Sequence, residues 1–82
     1  MTDRAKDSNV REKPTTLGQF IRQRREERGL LRIELAKLAD LSPSLISSIE
    51  NGTTPNPSIL TVKALGKALR AQKELWEFIT KL

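Results

Sequence analysis

The 82-residue chain contains no cysteine and no histidine. The first absence removes disulfide staples and thiolate metal sites, and the second removes imidazole ligands and the general base of the usual catalytic triads. Packing alone must then hold the fold, and neither a metal ion nor a cofactor is expected. Long apolar runs are missing as well. None approaches the roughly 20 residues needed to cross a bilayer, and the opening MTDRAKDSNVREK has no apolar segment of the kind that directs secretion. The expectation is a cytoplasmic protein with no membrane partner.

What is present is a basic chain of formal net charge +5. Such a surplus favours polyanionic partners, nucleic acid among them, without specifying one. The charge is uneven. Residues 31–56 carry only Arg32 and Lys37 against Glu34, Asp40 and Glu50, whereas the flanking segments are basic. A chain of this length has interior for one core only. Residues 1–15 mix charges and small polar side chains without periodicity up to Pro14, and read as a flexible N-terminal arm.

The remainder, residues 16–82, reads as one all-α, five-helix domain. Thr16 followed by Gln19 is a capping box, in which each side chain satisfies a backbone amide at the start of a helix running from Leu17 to about Arg28. Leu17, Phe20, Ile21 and the aliphatic part of Arg24 or Arg25 form its apolar stripe. Gly29 and Leu30 suit its end. RIELAKLA makes a short second helix over about Leu31 to Ala39, with Leu35, Ala36 and Ala39 inward. Ser42 before Pro43 is a strong helix start, because serine caps free amides while proline at the first helical position forfeits no hydrogen bond. That third helix ends near Asn51, ahead of Gly52 and TTPNP. A fourth, capped by Ser58 or by Asn56 with Pro57, runs through about Arg70 with Ile59, Val62, Leu65 and Leu69 inward. Gly66 in its interior implies close approach of another helix. KELWEFITKL repeats apolar residues at Leu75, Phe78, Ile79 and Leu82, the pattern of a fifth amphipathic helix.

Two short helices joined by a tight turn match the helix-turn-helix layout. At about 100° per residue, Ser44, Ser47, Ser48 and Asn51 share one arc of about 100° on the third helix, while Ile46 and Ile49 point away and Leu45 lies between. The polar arc has two readings, an ordinary solvated face and a face that enters a major groove, where hydroxyls meet base edges and phosphates. Serine is a poor interior helix former, which tilts the balance slightly toward the groove.

The run LGQFIRQRREERGLLRIELAKLADLSPSLISSIENGTTPNPSILTVKALGKAL closely resembles the lambda-repressor-like helix-turn-helix domain of the Cro/C1 type, the XRE family. The likeness spans about Leu17 to Leu82 and is strongest in ELA, LSPSLISSIENG and the spacing of the fourth helix. It implies that the third helix is the recognition helix, with Pro43, Ser44, Ser47 and Ser48 at base or groove contacts. Arg32, Asn51, Thr53 and Thr54 stand where the DNA backbone is met, and Arg25 with Glu50 where a partly buried ion pair orients the recognition helix.

The sequence departs from that pattern at three places. Leu31 occupies the usual serine or threonine cap position, Arg70 the position of a helix-ending glycine, and TTPNPS carries no lysine or arginine. The last departure moves the burden of phosphate contact to Arg32, Lys37, the end of the first helix and the arm residues Arg4, Lys6, Arg11 and Lys13, and implies modest affinity for one domain. Leu75, Trp76, Phe78, Ile79 and Leu82 either complete the core or, as the resemblance implies for many members, form a homodimer seam that pairs with a near-palindromic operator.

The function implied is that of a sequence-specific double-stranded DNA-binding transcriptional regulator, most simply a repressor, in a bacterial or phage-type cytoplasm. An antitoxin or a restriction-modification controller protein of the same fold, and a protein-interaction module that has lost DNA binding, are the alternatives. An enzyme is not expected, since Ser44, Ser47 and Ser48 have no histidine to activate them. The sequence identifies no small-molecule ligand.

Overall fold

Helix starts in this chain are written locally, and the computed structural model, which describes residues 13–81, places them accordingly. Helix α1 spans Leu17–Glu27, α2 Arg32–Ala39, α3 Pro43–Asn51, α4 Ile59–Leu69 and α5 Gln72–Thr80. Thr16, Ser42 and Ser58 each accept a hydrogen bond from the backbone amide three residues on, at 3.1, 3.1 and 3.2 Å. The box at α1 closes one residue earlier than its spacing implies: Gln19 accepts from the backbone amide of Thr15 rather than of Thr16. At α2 the exposed Leu31 has no side-chain acceptor to offer, so only the return half of a box remains. Its amide donates to Glu34 at 2.8 Å.

Two helices end on left-handed residues that are not glycine, Asp40 at φ 59° and Arg70 at φ 54°. In both, the next amide reaches back to close the helix end. Leu41 N–H donates to the Ala36 carbonyl and Ala71 N–H to the Gly66 carbonyl, each at 2.9 Å.

All five helices supply the core, whose largest fully buried side chains are Ile21, Leu35, Ile46, Ile49, Leu65 and Leu75. Burying each contributes about 1.5–3 kcal/mol. α3 lies between α1 and α2, α4 packs on α2, and α5 folds back on α4. Two close approaches set this arrangement. A Cβ at Gly18 would collide with the Ile49 carbonyl oxygen and stand 2.9 Å from that of Glu50, so α1 crosses the end of α3 backbone to backbone. At Gly66 a Cβ would lie 3.3 Å from the Gln72 Cα, which is the helix approach anticipated there.

Ile59 corrects the inward face of α4. It is exposed, because the buried residues of this helix begin one turn later at Val62 and the first turn projects beyond the core. Leu31, Ile33, Leu38 and Leu60 are also exposed. Residues 1–12 of the expected arm, with Arg4, Lys6 and Arg11, and Leu82 of the expected fifth-helix pattern lie outside the described residues. Among the described residues no helix is long and apolar enough to cross a membrane.

Candidate nucleic-acid interface

Helix α3 is divided by its own sequence. Ile46 and Ile49 alternate with serines, so one turn of the helix carries both a buried anchor and an open face. Pro43, Ser44 and Asn51 are exposed, and Ser47 and Ser48 are half-buried. Among the described residues none of the side chains of Ser44, Ser47, Ser48 and Asn51 makes a hydrogen bond within the protein, so these polar groups are open to another partner. Leu45, on the border of the two faces, packs against the core. Gly52 ends the helix at φ 85°. The loop after it turns back onto the helix, with the Thr54 amide donating to the Ser48 carbonyl at 3.0 Å and Thr53 exposed.

The far end of α3 is fixed by charge. The side chain of Glu50 is 0% exposed, and its Oε2 accepts from Arg25 Nε at 2.7 Å while its Oε1 accepts from Arg25 Nη2 at 3.0 Å. This two-pronged geometry is the strong form of an arginine–carboxylate contact. Arg25 Nη1 donates to the Leu30 carbonyl at 2.8 Å, so the same guanidinium also holds the turn after α1. The hydrogen bond to Glu50, helped by that residue's charge, raises the Arg25 pKa above its ordinary value although burial works the other way. While Glu50 carries its charge, Arg25 therefore contributes fully at pH values below its own ordinary one, and that contribution fades in strong alkali as pH climbs through the raised value.

Arg32 is not a free surface cation. Its Nε donates to Glu50 Oε1 at 3.0 Å, while its side chain remains 38% exposed. The structure thus brings Arg25, Arg32 and Glu50 together at one point where α1, α2 and α3 meet. The family resemblance paired Arg25 with Glu50 and set Arg32 apart. Sequence reasoning also passed over Gly18, whose role depends on a crossing with a helix distant in the chain. The signal available for Gly18 was a glycine inside a capped helix, where it costs about 1 kcal/mol against alanine.

The residues of the candidate dimer seam separate. Leu75 is buried in the chain's own core, and Phe78 and Ile79 pack against that core half-buried. The Phe78 ring lies 4.9 Å from that of Phe20, centroid to centroid, and the Arg24 guanidinium sits over the Phe20 ring at 5.1 Å. Among the described residues of this set, Trp76 is the side chain turned most to solvent.

Comparison with known proteins agrees with the helix-turn-helix fold. A family model described as a helix-turn-helix domain matches residues 16–77. The immunity repressor protein of Bacillus phage phi105 is 42% identical over 57 residues, which cover 70% of this chain and 39% of that protein. The chain thus corresponds to well under half the length of that relative. No solved structure matches it. With the family model covering most of the described residues and the fold and its α2–α3 unit agreeing, the chain belongs to the helix-turn-helix domain family, of the lambda-repressor-like type.

Proposed function

We propose that the chain is a sequence-specific double-stranded DNA-binding transcriptional regulator, most simply a repressor, that inserts α3 into the major groove. The observation that carries this is the division of α3. Ile46, Ile49 and the buried Glu50 seat one side rigidly, and Pro43, Ser44, Ser47 and Ser48 present only small groups on the other. Side chains so short require the helix to lie deep in the groove, where hydroxyls, bridging water and DNA shape share the reading. Asn51, Thr53 and Thr54 lie at and beyond the end of α3, where the DNA backbone would pass, and the relative named as an immunity repressor supports repression over activation.

The protein acts as a homodimer on a near-palindromic operator in this reading, since one domain with an uncharged TTPNPS loop gathers few phosphate contacts. Trp76, with the outer edges of Phe78 and Ile79, is the surface of α5 available to a second copy. A second reading, a protein-interaction module, draws on the exposed Leu31, Ile33 and Leu38 of the α2 region.

Selection of duplexes from a random pool, followed by titration of the winner and of a scrambled duplex at several salt concentrations, tests the proposal. A clear preference for the selected site is expected, with Ser48→Ala changing the preferred sequence more than the total affinity. Equal affinity for both duplexes, or none for either, would sink the regulator reading and leave the interaction module.

A further inference from the structure

We infer that Glu50 positions Arg32 as a preset contact for the DNA backbone, so that one buried carboxylate both seats α3 and aims a cation beside it. The inference rests on the DNA-binding reading above. Arg25 places Nε, Nη1 and Nη2 on partners inside the protein and already matches the charge of Glu50. Arg32 is therefore the surplus cation of the cluster. It is also the more exposed of the two arginines, with side chains 38% against 10% exposed.

A guanidinium carries its five N–H donors in a planar fork. Arg32 spends one of them, Nε, on Glu50 at 3.0 Å, and its Nη groups have no partner among the described residues. The inner edge is anchored and the outer edge faces solvent. Anchoring removes much of the rotamer freedom that a free arginine would lose on binding phosphate, and the flat outer edge suits a phosphate in a way a point charge does not. Residues 31–56 hold only Arg32 and Lys37 as cations, and Lys37 has no ion-pair partner among the described residues. Arg32 is thus the fixed cation of the helix-turn-helix unit, a role that the absence of basic residues in TTPNPS makes all the more necessary.

Lysine separates position from charge, because an ammonium directed at Glu50 cannot also present a planar edge outward. The test uses the full chain, with Arg32→Gln and Arg32→Lys, titrated on the selected and the scrambled duplex across a salt series, with a thermal melt of each variant. Both variants are expected to melt close to the parent, since Arg25 still holds Glu50. Arg32→Gln should bind both duplexes about tenfold more weakly and lower the salt slope by about 0.9, the loss of one phosphate contact. Arg32→Lys should lose most of the same affinity, about fivefold, although its charge is intact. Parental binding by Arg32→Lys would overturn the positioning role, and parental affinity and slope in Arg32→Gln would remove the contact itself. A fall in melting temperature that accounts for the lost binding would make Arg32 structural and likewise overturn the inference. Failure of the parent to distinguish the two duplexes would instead overturn the reading beneath it.

Discussion

The chain turns the same corner twice. After α2 and again after α4, a left-handed residue other than glycine is succeeded by an amide that closes the helix, at Asp40–Leu41 and at Arg70–Ala71. Beyond the corner the two paths diverge. Ser42 caps α3 with its hydroxyl, whereas Ala71 has no side-chain cap to give α5 and is instead buried against the core. α5 then lies down on α4 across Gly66 and turns Leu75 inward. α3 is gripped on one side by two isoleucines and a carboxylate and leaves its serines outside. Corner geometry is thus shared between a helix that completes the core and a helix that is displayed by it, and the difference lies in where each second helix puts its polar groups.

The harshest way to break this contrast is Glu50→Ala, which releases the displayed helix and leaves the packed one untouched. Removing the carboxylate strands Arg25 in the interior, at a cost of about 3–5 kcal/mol. Against a whole stability of about 4–12 kcal/mol for a chain of this size, a large part of the urea midpoint should go. A shift equivalent to less than about 1 kcal/mol would mean that Ile46 and Ile49 suffice to seat α3.

Next in size is Gly18→Ala. Its Cβ meets backbone carbonyls of α3 that cannot rotate away, so a loss of about 1–3 kcal/mol is expected. Gly66→Ala provides the matching change under the packed helix, where the neighbours are the Gln72 Cα and the movable Leu75 side chain. There the gain in helix propensity, about 1 kcal/mol, offsets the crowding, and the melting temperature should move little. Equal losses at the two glycines would erase the distinction between a displayed and a packed helix at the level of backbone approach.

The smallest effect compares the corner residues themselves. Arg70→Gly relieves a left-handed arginine and should stabilise by about 1 kcal/mol, raising the melting temperature by several degrees. Asp40→Gly should gain less, because aspartate tolerates that conformation better than arginine does. Melts of the two variants side by side would reveal whether the corners are strained alike.

Helix starts were legible in the sequence because their causes are local. Thr16, Ser42–Pro43 and Ser58 each act within three residues, and the structure places helices after all of them. Periodicity gave the inward faces of α1 and α2 and, among the described residues of α5, Leu75, Phe78 and Ile79, but it misplaced Ile59, since a wheel knows the direction of a side chain but not where the core stops. The pairing of Arg25 with Glu50 entered through family resemblance. The third member, Arg32, lies 18 residues from Glu50 and meets it only because α2 and α3 converge. Gly18 carried the same signal that revealed the approach at Gly66, a glycine inside a helix, but its partners are carbonyls on a helix more than 30 residues away that only the folded chain identifies.

The idle hydroxyls of α3 have one more consequence. Among the described residues the side chains of Ser44, Ser47 and Ser48 spend no hydrogen bond on the protein, so the scaffold asks nothing of their polarity and, at the half-buried Ser47 and Ser48, only that a replacement fit. On the proposed DNA-reading role of these serines, readout and folding are separately editable in this domain. On that same reading, a lineage of such chains can exchange its target vocabulary at three positions while every partner of Arg25 and Glu50 stays in place.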